Sequence, residues 1–287
     1  MLLKSVAKRL IWNVREQPNV ASLLRHPALQ SVLEKSPVAR ALYGSGWDRK
    51  HPFDLAHGTD TSGYISADEL PSNEPARTHA FCYGGSQPSL LRLAFASLPE
   101  LDSYTFLDLG CGKGRALLVA TEFPFRKLYG VELSPDTAQT ARRNLARLRA
   151  RFPARARPEV IVGDASAHPL PVGNLVIYMY HPFSAELVAK VVRAVELGLA
   201  VDPTRSIYVV YCNPVASSLF DASPALRRRF ARMVPYAPEE VGFGPDDGDA
   251  LLIWQPCALP VSDEPTAGTV VLAPNGARAT LDTPAPS

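Results

Sequence analysis

The middle of the chain alternates short apolar runs with amphipathic stretches. Residues 105–109, 127–133, 160–162, 175–180 and 207–211 are continuous runs rich in Val, Ile, Leu, Tyr and Phe, with a late one at 251–254. Their length and β-branched content predict strands, and the lack of apolar–polar alternation predicts burial on both faces. The intervening stretches carry a helical period. A helix is expected at 88–98, another from Arg115 to about residue 122, and a third after Ser134-Pro135, with Ser134 as cap and proline at the first helical position. That third helix puts Ala138, Ala141, Leu145 and Leu148 on one face. The next, capped by Ser184, aligns Leu187, Val188, Val191, Val192 and Val195. Strands alternating with helices imply right-handed crossovers and a doubly wound α/β architecture. The expectation is a mostly parallel seven-stranded sheet with helices on both faces, plus an N-terminal helical and loop extension.

Three zones follow. Residues 1–100 read as an N-terminal helical extension and lid, broken by a polar, glycine-bearing stretch from Phe53 to Ser72. Residues 101–257 hold the alternating domain. Residues 258–287 turn to Pro, Ala, Thr and Gly, with too little apolar surface to offset ordering entropy, so a disordered tail is expected, with Val270-Val271 as its one hint of a strand. The N-terminal Leu3, Val6, Leu10, Ile11 and Val14 recur at helical spacing and are expected to pack on the protein itself. Lys4, Lys8 and Arg9 interrupt that segment, which argues against a signal peptide.

Composition narrows the function less than pattern does. A chain of 287 residues with a formal net charge of +2 favours neither a nucleic-acid nor a membrane partner through its global field. No apolar run reaches the length of a transmembrane helix. Cys82, Cys111, Cys212 and Cys257 form no CxxC pair, so reduced thiols in a cytoplasmic protein are expected, and no metal site. The arginines at 142, 143, 147, 149, 151, 155 and 157, and a second group at 227–229 and 232, read as a solvated helix face.

The chemistry sits at the strand ends. Asp108-Leu109-Gly110-Cys111-Gly112-Lys113-Gly114 follows the first of these strands and opens a helix, where glycine allows sharp turns and bare main chain for a ligand. A dinucleotide fingerprint would place a third glycine or alanine at position 115, which is Arg115 here. DLGCGKG instead resembles motif I of the class I S-adenosylmethionine-dependent methyltransferases. Glu132, ending the next strand before Leu133, and Gly163-Asp164-Ala165 after the third agree with that resemblance. It implies S-adenosylmethionine as cofactor, with Asp108, Gly110, Cys111, Gly112, Gly114, Glu132, Leu133, Asp164, Ala165 and Tyr180 around it. Glu132 would accept the ribose hydroxyls and Asp164 the adenine amino group. Residues 100–257 carry the likeness, within a bacterial group of unassigned acceptor.

Tyr178-Met179-Tyr180-His181-Pro182-Phe183 ends the fourth strand, where such enzymes face the acceptor. His181 and Tyr180 are candidates to take a proton there. Upstream, the polar loop Gly58-Thr59-Asp60-Thr61-Ser62-Gly63-Tyr64 and Cys82-Tyr83-Gly84-Gly85-Ser86 resemble a lid, with Tyr83 as a third catalytic candidate. Lys113 reads as solvent-facing. The expected activity is methyl transfer to nitrogen or oxygen of a small molecule or a protein side chain. A nicotinamide-dependent oxidoreductase and a non-catalytic cofactor-binding module are the alternatives.

Overall fold

The computed structural model describes residues 50–65, 83–180, 184–243, 246–260, 270–272 and 278–280. The N-terminal amphipathic stretch lies outside them. Seven strands form one sheet: β3 (Thr105–Leu109), β4 (Lys127–Glu132), β5 (Glu159–Val162), β6 (Leu175–Tyr180), β7 (Ile207–Cys212), β8 (Leu226–Pro235) and β9 (Gly248–Pro256). Their order is β5-β4-β3-β6-β7-β9-β8. All neighbouring pairs are parallel up to β7, and β9 runs antiparallel to both β7 and β8. Two further strands, β1 (Tyr64–Ile65) and β2 (Tyr83–Gly84), make a separate antiparallel pair upstream.

The apolar runs lack alternation because each strand feeds two cores. Phe106, Val176, Tyr178, Tyr208, Val210, Leu251 and Ile253 enter one apolar cluster. Their chain neighbours Leu107, Leu175, Ile177, Ile207, Val209, Leu252 and Trp254 enter the other. Helices α2 (Pro88–Ala96) and α3 (Arg115–Ala120) cover the first face. On the second lies α5 (Ala185–Val201), whose buried residues are Leu187, Val188, Val191, Val192 and Val195, the stripe expected from spacing. The short α6 (Ser217–Asp221) packs beside it.

Helix α4 (Pro135–Arg151) begins as its sequence dictates: the Ser134 side chain accepts from the Thr137 N–H, with Pro135 in the first turn. Ser184 stands at the N-cap of α5 without a side-chain capping bond. Strand β8 departs from expectation. Its arginines at 227–229 and 232 lie on a ten-residue strand and not on a helix face. A register shift between Arg228 and Phe230 breaks the two-residue alternation that would have marked it. In the tail, β10 (Val270–Leu272) pairs antiparallel with β11 (Arg278–Thr280).

Strand order reverses between β3 and β6, whose crossover connections leave in opposite directions. In open α/β sheets the crevice beyond the strand carboxyl ends at such a reversal is where ligands bind. Asp108 pairs in register with Tyr178, so the glycine loop and Tyr180 emerge from adjacent strands at this point.

Candidate active site

The loop after β3 is shaped by three left-handed glycines, with φ of 86° at Gly110, 54° at Gly112 and 86° at Gly114. Gly114 is the N-cap of α3, so bare main chain runs from the strand into the helix N-terminus. The amides of Gly110 and Cys111 both donate to the Val131 carbonyl, fixing the loop to β4. Glu132 closes the far side: one carboxylate oxygen accepts from the Gly112 N–H at 2.8 Å, the other from Ser134 N–H at 3.0 Å.

Asp108 is 2% exposed, and its Oδ2 has no hydrogen-bond partner among the described residues. Burial, with the Glu132 carboxylate adding to it, pushes the Asp108 carboxyl well above the usual range. Burial also raises Glu132, against which the backbone N–H groups of Ser134 and Gly112 act. Two carboxyl groups thus stand at the ends of neighbouring strands beside the glycine main chain. Such a set suits a ligand bringing both a cation and hydroxyls. Cys111 is buried, and Gly130 leaves the room its side chain fills: a Cβ there would lie 2.8 Å from Cys111 Sγ. Asp164 Oδ1 accepts from the N–H and hydroxyl of Ser166, two residues on, which folds the chain into a turn after β5. Ala165 is buried beside it, and Leu133 is half-buried after β4.

A strap lies over this loop. Helix α1 (Pro52–His57) opens at His51, whose Nδ1 accepts from the Phe53 N–H. That leaves Nε2–H to donate to Gln87 Oε1 at 2.8 Å. Burial, reinforced by the Arg115 charge, lowers His51 to a pKa of about 4. After α1 the chain wraps around Asp54, a fully buried carboxylate. It accepts from the Thr61 N–H and from the hydroxyls of Thr59, Thr61 and Ser62. Burial alone would raise the Asp54 carboxyl, but these hydroxyls and the Arg115 charge outweigh it and hold the carboxyl below its ordinary value.

Arg115, the residue standing where a dinucleotide site wants glycine, ties strap to loop. Its Nε donates to the Thr61 hydroxyl, Nη2 to the Thr61 carbonyl and Nη1 to the Gly85 carbonyl. Asp54 is 3.9 Å away. A Cβ at Gly85 would sit 2.6 Å from the guanidinium carbon, so only glycine admits it. Asn144 of α4 repeats the bridge, accepting from Asp60 N–H while its amide donates to the carbonyls of Asp60 and Lys113.

Lys113 corrects an expectation. It does not face solvent: its ammonium donates to the Ser62 carbonyl at 2.6 Å, and its side chain is 15% exposed. Tyr83 lies flat on the loop. A Cβ at Gly112 would come within 2.4 Å of the ring, and the Tyr83 hydroxyl donates to the Thr61 carbonyl. That bond, with burial raising the phenol above its ordinary value, makes Tyr83 a roof over the loop. The α4 arginines at 147 and 151 join the clamp, donating to the carbonyls of Gly58 and Ala56 at the end of α1.

Across the crevice, Tyr178 is buried and its hydroxyl donates to Ser86 Oγ at 2.7 Å. Tyr180 is half-buried, with its hydroxyl donating to Asp249 Oδ2 at 2.8 Å. Tyr236 donates to the same oxygen at 2.7 Å. Neither Asp249 nor Tyr236 stood out in the sequence, because each is distant from the strand-end motifs along the chain. His181, with Pro182 and Phe183, lies outside the described residues. Among the described residues no helix is long and apolar enough to cross a membrane, and no cluster of metal-ligating side chains occurs.

Residues 106–197 match a family described as a methyltransferase domain. No curated protein sequence matches the chain. Among solved structures, the methyltransferase yhhF of Escherichia coli is 17% identical, covering 60% of this chain and 87% of its own, with a TM-score of 0.43. An S-adenosylmethionine-dependent methyltransferase of Leishmania major is also 17% identical, over 58% and 70% of the two chains, at a TM-score of 0.43. An RNA methyltransferase of Salinibacter ruber, solved with S-adenosyl-L-homocysteine, is 16% identical over 64% and 100%, at 0.38.

Proposed function

We infer that this enzyme, which carries a class I methyltransferase domain and uses S-adenosylmethionine, moves the methyl group to nitrogen or oxygen of a small molecule or a protein side chain. The observation that carries the site assignment is the Asp108 carboxyl, buried with Oδ2 unpartnered beside the glycine loop. A buried carboxylate in that state is costly, and an ammonium brought against it would return it to its charged form. The donor's amino-acid end carries such an ammonium.

In this reading Asp108 and the glycine main chain at 110, 112 and 114 hold that end. Glu132 and Leu133 meet the ribose, and Asp164 and Ala165 the adenine. When bound, the donor supplies a methyl on a positive sulfur. The chain's own residues supply alignment and a dry site, which account for much of the rate in an in-line displacement. Tyr83, Lys113 and the strap exclude water over the loop. His181 remains a candidate to take a proton from the acceptor. Cys111, Cys212 and Cys257, all unpaired thiols, are compatible with the cytoplasm.

Calorimetric titration with S-adenosylmethionine tests this. Asp108→Asn and Glu132→Gln are each expected to weaken binding at least tenfold. Binding to the native chain should release a proton, read as a dependence of the heat on buffer ionisation, because Asp108 passes from a raised to an ordinary pKa. Native affinity in both variants would sink the assignment.

A further inference from the structure

We propose that the Tyr180–Asp249–Tyr236 cluster selects an amine, so that the methyl-accepting atom is a nitrogen bearing hydrogen. The inference rests on the methyl-transfer reading above and narrows it.

Strand β9 runs against its neighbour, so its first residues reach the end of the sheet where the parallel strands finish. Leu251 pairs with Cys212, the last residue of β7, and Cys212 pairs with Tyr180, the last of β6. Asp249, two residues before Leu251, therefore overhangs the β6 end beside the glycine loop. It is 2% exposed, and Tyr236 is 8% exposed. Both tyrosine hydroxyls give their single hydrogen to one oxygen of this carboxylate.

A phenol that has spent its hydrogen has only lone pairs left to offer. The polar surface around Tyr180 is thus acceptor-rich, backed by a buried carboxylate. Among the described residues, this set favours N–H groups and cations over a carboxylate or carbonyl acceptor. An alcohol acceptor would need a base, and Tyr180 does not serve as one: burial and the neighbouring Asp249 push its phenol well above the ordinary value, with Asp246 adding to the shift. An amine needs none once it is neutral. Its lone pair forms the N–C bond as the S–C bond of the donor breaks, the bonding pair stays on sulfur, and the N–H proton leaves to water. Asp249 is accordingly a positioning residue, acting through the two hydroxyls.

Two measurements test this on the full chain. In the first, enzyme saturated with S-adenosyl-L-homocysteine is titrated with n-butylammonium and, as uncharged control, n-butanol, followed by NMR. The native enzyme should prefer the ammonium at least tenfold, and Asp249→Asn should reduce that preference to within twofold. Because Asp249 is buried, Tyr180→Phe/Tyr236→Phe serves as a second variant, and the fold of each is checked by thermal melting. A preference intact in folded variants overturns the proposal and leaves the cluster structural. In the second, methyl-labelled S-adenosylmethionine is incubated with cell extract and the labelled products are hydrolysed. Label on nitrogen supports the proposal. Label on oxygen, sulfur or carbon overturns it but leaves the methyl-transfer reading standing. No transferred label, with the donor bound, overturns both.

Discussion

From Asp108 to Glu132 the proposed donor side is built by β3, the glycine loop, α3 and β4, with the Gly112 N–H meeting Glu132 across 20 residues. The strap from His51 to Tyr64 is held by long-range polar contacts instead. Arg115 reaches Thr61 across 54 residues, Asn144 reaches Asp60 across 84, and His51 meets Gln87 across 36. The first kind of construction places main-chain groups through backbone dihedrals. The second relies on a buried network whose members must all be satisfied together. The fold of the donor side should therefore survive loss of single side-chain bonds even where donor binding suffers, while the strap should open as a unit.

The largest effect expected follows from Asp54→Ala. It removes the acceptor for four donors of the strap and leaves Arg115 buried without its countercharge. The cost is about 3 kcal/mol, read as the drop in urea unfolding free energy. Hydrogen exchange should accelerate over residues 58–64 far more than over β3 to β7. Equal acceleration in both would erase the distinction between the halves.

Acidity pulls the two halves in opposite directions. Asp108 and Glu132 are raised, so the folded chain holds protons there that the unfolded chain has lost, and their contribution falls as pH rises above about 4. His51 is lowered to about 4, so between the unfolded value of 6.5 and 4 the unfolded state binds the extra proton. Its contribution is present above pH 6.5 and is lost as pH falls to 4. His51→Asn keeps a helix N-cap while removing the titration. The stability difference between native and variant should shrink by about 3 kcal/mol on going from pH 7 to pH 4, the carboxyl contributions cancelling in the comparison. A pH-independent difference would mean that His51 is not held neutral.

The smallest effect belongs to the outer edge of the clamp. Arg147 is exposed and, among the described residues, meets the Gly58 carbonyl alone at 3.5 Å, so Arg147→Ala should cost below about 1 kcal/mol in the same urea assay. A larger loss would move the strap's anchor from Asp54 to the surface of α4.

What could be read from the sequence follows the same division. Strands β3 to β7 and helix α5 were legible because each carries its own apolar period and the turns between them are local. The glycine loop and Glu132 were legible for that reason too. Strand β8 was not, since its arginines mask an interrupted alternation: Arg228 pairs with Asp221 and Arg229 donates to Gln255, contacts invisible in local pattern. Lys113 looked solvent-facing because its partner, Ser62, lies 51 residues upstream. Tyr180 was found by its place at a strand end, but Asp249, 69 residues on, was not.

The reversed hairpin of β8 and β9 has a consequence for how such an enzyme can diversify. It delivers Tyr236 and Asp249 from its turn end, after the last parallel strand, with no share in the glycine loop or in Glu132. On the proposed reading, changes in this hairpin would redraw what the crevice accepts while the glycine loop and Glu132 stay as they are. Recognition of the two substrates would then be uncoupled along the chain, and exchanging residues 226–256 between relatives is the modular graft the architecture permits.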